Sequence, residues 1–133
     1  MARENYNVFA DMSERKNFTW SDAVKKGQIL VISGTVSTDE NHRTIHKGDL
    51  QAQVRCIYET VQGILERAGA SFDDVIKTTD YLIPEAVADY VKTAEIRREF
   101  FKGNYSAATG VVVHSLLRPD WLIEIEFTAV LDG

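Results

Sequence analysis

The chain has 133 residues, 44% of them hydrophobic and 26% charged, with a formal net charge of −5. That length fits one compact domain, residues 1–133, able to bury a sizeable core, and the acid excess argues against a general nucleic-acid or membrane-surface binder. The expected partner is a small molecule or a protein. Cys56 is the single cysteine, which excludes an intramolecular disulfide and points to a reducing compartment, by default the cytoplasm. No apolar run approaches the roughly 18 residues of a membrane span, and residues 1–6 lack the apolar segment of a secretion signal.

Residues 1–16 are polar and without sustained period, and are expected to form an ordered arm that Tyr6, Val8 and Phe9 pin to a neighbouring surface. Residues 20–24 and 29–36 flank Lys25-Lys26-Gly27-Gln28, a polar turn with a glycine, and so predict a β-hairpin. Ser33-Gly34-Thr35 ends or bulges its second strand. The polar stretch 37–47 reads as a surface loop. From Asp49 onward Val54, Ile57, Val61, Ile64, Leu65 and Ala68 recur at three- and four-residue steps, predicting a long amphipathic helix that Gly69 stops.

Residues 73–82 carry β-branched and aromatic side chains, and Pro84 biases Ile83 away from helix, so a strand should end there. Good helix formers follow to Phe101, with the proline suited to a first turn and Gly103 as the stop. Two closing strands, 107–117 and 121–131, are joined by Arg118-Pro119-Asp120. The predicted order is ββαβαββ, an α+β layer with both helices on one face of a mixed sheet.

The last strand alternates cleanly: Ile123, Ile125, Phe127 and Ala129 share one face, and Leu122, Glu124, Glu126 and Thr128 the other. Two carboxylates thus point away from the expected core. Either can orient a water and accept its proton, but charge on a strand face is more often structural.

Ser21 and Ala23, the strand Leu30-Val31-Ile32-Ser33-Gly34, Ala68-Gly69-Ala70, Asp74-Val75-Ile76-Lys77 and Ile123-Glu124-Ile125-Glu126 together resemble the Rid family, the YjgF-like reactive intermediate deaminases, over nearly the whole chain. The resemblance implies a chorismate-mutase-like subunit that assembles as a homotrimer, with small-molecule clefts between neighbouring subunits and no cofactor. Active members hydrolyse enamines and imines to ketones with release of ammonia. A glutamate matching Glu124 positions the water, and an arginine in the preceding strand grips the substrate carboxylate. That strand here reads Ser106-Ala107-Ala108-Thr109, so Ala108 occupies the arginine position and offers no donor. Trp20 stands where the family's early tyrosine falls, and a cleft asparagine of some members falls near Ala94.

On that basis Glu124 is the expected catalytic residue, and Glu126 a subunit-interface partner. Ser33 and Gly34 are expected to line the cleft through their backbone, Trp20 to stack on a planar substrate or pack in the core, and Arg118 to replace the missing clamp if it swings over the cleft. His114 has the chemistry of a proton shuttle, with an interface histidine as the blander reading. His42 and His46 share a loop with Asp39 and Glu40, but their spacing matches no metal motif, so no metal is expected there. Cys56 has no partner cysteine and is assigned no nucleophilic role. The expected function is hydrolysis of an imine, an enamine or a related activated C–N bond. The alternative is a small-molecule-binding or regulatory member that lost its chemistry with the arginine, and ribonuclease activity is disfavoured by the acidic balance.

Overall fold

The computed structural model describes residues 2–9 and 13–132. Six strands and two α-helices run in the order β1 (Arg3–Tyr6), β2 (Ala23–Lys26), β3 (Ile29–Thr35), α1 (Leu50–Arg67), β4 (Val75–Leu82), α2 (Ala94–Phe101), β5 (Ala107–Val112) and β6 (Ile123–Val130). The mixed sheet has the order β1-β2-β3-β6-β4-β5, antiparallel throughout except for the parallel pair β4–β5. This is the expected α+β layer with one strand more. β1 comes from the expected arm, pairing Arg3 to Tyr6 with Lys26 to Ala23; residues 10–12 of that arm lie outside the described residues.

The helix-side face is apolar because the sequence alternates. Ile123, Ile125, Phe127 and Ala129 of β6 meet Leu30 and Ile32 of β3, and all are buried under Val54, Ile57, Val61, Ile64 and Leu65 of α1. Asp49 caps α1, its carboxylate accepting from the Ala52 N–H at 3.0 Å, and Gly69 leaves it at φ +76°. The Tyr58 ring fills the far end of the core, 5.4 Å from Phe127 and 5.6 Å from Phe72. Beside it Asp80, 3% exposed, accepts from Arg97 and from the Tyr90 hydroxyl. Burial and this carboxylate push the Tyr90 phenol up to about 12.

Several boundaries depart from the sequence reading. The first hairpin strand starts at Ala23 instead of residue 20, and Lys25 and Lys26 belong to it, because Gly27 at φ +63° lets the chain reverse in fewer residues. The second helix opens as a 3-10 segment, Pro84–Thr93, and becomes α-helical only at Ala94. β5 ends at Val112 instead of Leu117; it pairs with β4, and residues 113–122 cross β4 to reach β6. No helix among the described residues is long and apolar enough to cross a membrane.

Candidate active site

The face of β6 turned away from the helices carries Glu124, Glu126 and Thr128, opposite Tyr81, Thr79 and Lys77 of β4. On the other flank β3 is irregular. Ile32 pairs with Phe127 and Thr35 with Ile125, so Ser33 and Gly34 both oppose Glu126 in a β-bulge. The bulge is fixed from behind, since Ser33 donates its N–H to the Asp22 carbonyl at 2.8 Å and its hydroxyl to the Ser21 carbonyl at 2.7 Å. Gly34 is thereby pressed against Glu124: a Cβ built on it would stand 2.0 Å from Glu124 Oε2 and 2.8 Å from Cδ. Only glycine leaves the Glu124 carboxylate in this place, since any side chain here would push it aside.

Glu124 lines a cavity of about 470 Å³ together with Ser33, Gly34, Trp20, Arg118 and Trp121. Burial, with a smaller contribution from the Glu126 charge, pushes the Glu124 carboxyl above its usual range. Among the described residues no hydrogen bond reaches this carboxylate, while Glu126 is engaged by the Tyr81 hydroxyl at 2.7 Å. The two acids of the strand therefore differ: Glu126 is tied to a neighbour, and Glu124 stands over the cavity with its proton affinity raised by burial.

The cavity wall is built by two segments that sequence periodicity could not place. After a 3-10 turn, Ser13–Asn17, the rings of Phe18 and Trp20 stack at 4.4 Å and 10°. Arg15 lies 4.9 Å over the Phe18 ring and bonds Asp22 in both arms, at 3.1 and 3.4 Å, so its charge is neutralised within the wall. The loop 37–48 brings the His42 ring edge-on to Phe18 at 4.9 Å and to Trp121 at 6.1 Å, with His42 itself at φ +60°. Arg118 donates to the His42 carbonyl and stacks 5.2 Å over Trp121.

Buried Gln53 on α1 holds these pieces in register. Its amide donates to the His46 carbonyl at 3.3 Å and the Asp120 carbonyl at 3.1 Å, and its oxygen accepts from the Leu122 N–H at 3.0 Å. Asp120 in turn takes the Thr44 hydroxyl at 2.9 Å and Lys47 at 3.6 Å.

Of the residues singled out from sequence, Glu124, Ser33, Gly34, Trp20 and Arg118 meet at one cavity. Ala108 and His114 do not line it. Ala108 sits on the edge strand in parallel register with buried Thr78, hence on the helix side of the sheet, opposite to the Glu124 face. His114 is exposed beyond the end of β5, and Ala94 opens α2, also outside the cavity. His42, expected in a solvated loop, is instead a wall residue. Phe18 and Trp121 were not singled out at all; their only signal was the Phe-x-Trp spacing and the aromatic that opens the last strand. Among the described residues no group of three or more His, Cys, Asp or Glu stands ready to hold a metal ion.

The chain is similar to known proteins over most of its length. The sequence model of the family described as endoribonuclease L-PSP matches residues 14–131. A RutC family protein of Pyrococcus horikoshii is 38% identical over 122 residues, covering 92% of this chain and 94% of its own. The 3-aminoacrylate deaminase RutC of Acinetobacter baylyi is 37% identical over 107 residues, covering 80% and 82%. The crystal structure of RidA from an Antarctic Psychrobacter superposes with a TM-score of 0.77 at 28% identity, covering 86% of this chain and 89% of that one. With the bulge, the alternating last strand and the two-helix layer all in place, the chain belongs to the YjgF-like Rid family.

Proposed function

We propose that this protein is a hydrolytic deaminase that acts on an imine, an enamine or a related activated C–N bond of a small metabolite. The observation that carries the reading is the Glu124 carboxylate, raised in proton affinity by burial and standing against Gly34 at the wall of the cavity. Water held by Glu124 attacks the C=N carbon, and the carboxylate takes one of its protons as the C–O bond forms. That proton goes to nitrogen to give a carbinolamine, Glu124 then passes the hydroxyl proton to nitrogen as the C–N bond breaks, and a carbonyl and ammonia leave. One imine and one water are consumed for one ketone and one ammonia. The likeness to a 3-aminoacrylate deaminase supports this chemistry.

In this reading the protein works as a homotrimer, with its clefts completed between subunits, in the cytoplasm. The sheet face away from the helices supports assembly, since it exposes Ile29, Val31 and Val130 beside the carboxylates, and the edge strand β5 is exposed along its whole length. No nucleic-acid substrate is included, in keeping with the net charge of −5.

The competing reading, a binding or regulatory member without turnover, is favoured by one observation, the alanine at position 108. A trapping experiment separates the two. Imines generated in situ by an amino-acid oxidase are offered to semicarbazide with and without the protein. A deaminase lowers the yield of semicarbazone, and Glu124→Ala restores it. Raised melting temperature with 2-oxo acids but an unchanged semicarbazone yield would establish the binding module instead.

A further inference from the structure

Resting on the deaminase reading, we propose that the substrate is an anionic imine or enamine carrying a planar ring, its carboxylate held by Arg118 and its ring laid against Phe18 and Trp20. The cavity holds two arginines with different charge states of their surroundings. Arg15 is paired with Asp22 through both arms of its guanidinium. Arg118 has no carboxylate partner among the described residues, yet its position is fixed by one bond to the His42 carbonyl and by the Trp121 ring beneath it. Among the described residues the rest of its N–H fork makes no bond, which leaves donors for a carboxylate through two parallel bonds. A guanidinium already held in place loses little freedom when a ligand arrives.

The apolar wall sets the second half of the specificity. Trp20 is 49% exposed, a large indole face left in solvent at the cavity, and its stack with Phe18 makes a flat platform. His42 and Trp121 carry the aromatic lining on toward Arg118. A volume of about 470 Å³ falls within the roughly 300–1,000 Å³ of small-molecule sites. A three-carbon acid would leave most of that wall wet, whereas a ring covers it.

Arg118 and Trp20 thus divide recognition between charge and ring, and stable 2-oxo acid products measure this without turnover. Binding of phenylpyruvate, pyruvate and the neutral ring ketone phenylacetone is measured by calorimetry on the wild type, Arg118→Ala, Arg118→Lys and Trp20→Leu. The wild type should bind phenylpyruvate about tenfold or more tighter than either other ligand. Arg118→Ala should lose that margin over phenylacetone while phenylacetone itself binds unchanged, and Arg118→Lys should restore part of it. Trp20→Leu should weaken phenylpyruvate about fivefold and leave pyruvate alone. Equal wild-type affinities for phenylpyruvate and phenylacetone, or equal loss of both in Arg118→Ala, would overturn the assignment, the latter by reducing Arg118 to a loop anchor. Ring-acid binding that follows this pattern in a protein with no ammonia release would leave the assignment standing and remove only the deaminase reading.

Discussion

Replacing Gly34 by alanine should separate activity from stability at a single methyl group. The new Cβ would fall 2.0 Å from Glu124 Oε2, where real Cβ contacts keep at least 3.0 Å, so the carboxylate must retreat by about 1 Å. It can do so at small cost, because the clashing atoms are the far end of a flexible side chain and the position is not at positive φ. The melting temperature should therefore move by no more than a few degrees, corresponding to about 1 kcal/mol or less. The water that Glu124 holds moves with it, and a misplacement of ~1 Å costs about 10²-fold in rate. Ammonia release from a freshly generated imine, followed beside a thermal melt, tests both halves. An alanine variant with full turnover would refute the placement of Glu124 against the bulge. A variant that fails to fold would refute the claim that the side chain gives way.

The raised Glu124 carboxyl has a stability consequence of definite sign. Its unfolded value is about 4.3, so protonation favours the fold and that contribution is lost as pH rises from the unfolded value through the higher folded one. Glu124→Gln should accordingly melt higher than the wild type at pH 7 to 8, with the gain shrinking toward pH 4; a gain that grows as pH falls would contradict the shift. Gln53→Ala leaves the His46 and Asp120 carbonyls and the Leu122 N–H without their partner, and should cost about 2–4 kcal/mol in denaturant unfolding. Arg97→Met strands the buried Asp80 carboxylate and should cost about 3–5 kcal/mol. Arg55→Met, which breaks the exposed pair with Glu99, should cost far less, and equal costs would show that the Asp80 pair is not effectively buried.

The parts of this fold that sequence made legible are those where periodicity and burial coincide. The stripe on α1 and the alternation of β6 each have only one packing that keeps apolar groups from water, and both were readable. The strand β1 was not, because a polar four-residue edge strand has no apolar face and is defined only by its partner β2. The end of β5 was placed too late for a related reason: residues 113–117 read as strand by composition, but they lie past the pairing with β4 that defines the strand. Glu124 and Ser33-Gly34 of the candidate site were legible through the resemblance, since they lie on β6 and at the end of β3, although the bulge there follows only from the pairing with β6. The wall was not, because His42 sits in a loop whose course is set by distant bonds to Gln53, Asp120 and Arg118.

Glu124 as the group that directs water is the centre of this account, and one rate comparison tests it. Ammonia release from freshly generated imino acid is measured at neutral pH for the wild type and Glu124→Gln, each corrected for hydrolysis in buffer. The account predicts turnover well above buffer for the wild type, and a loss of about 10²- to 10⁴-fold in the variant. Equal rates for the two proteins would contradict it.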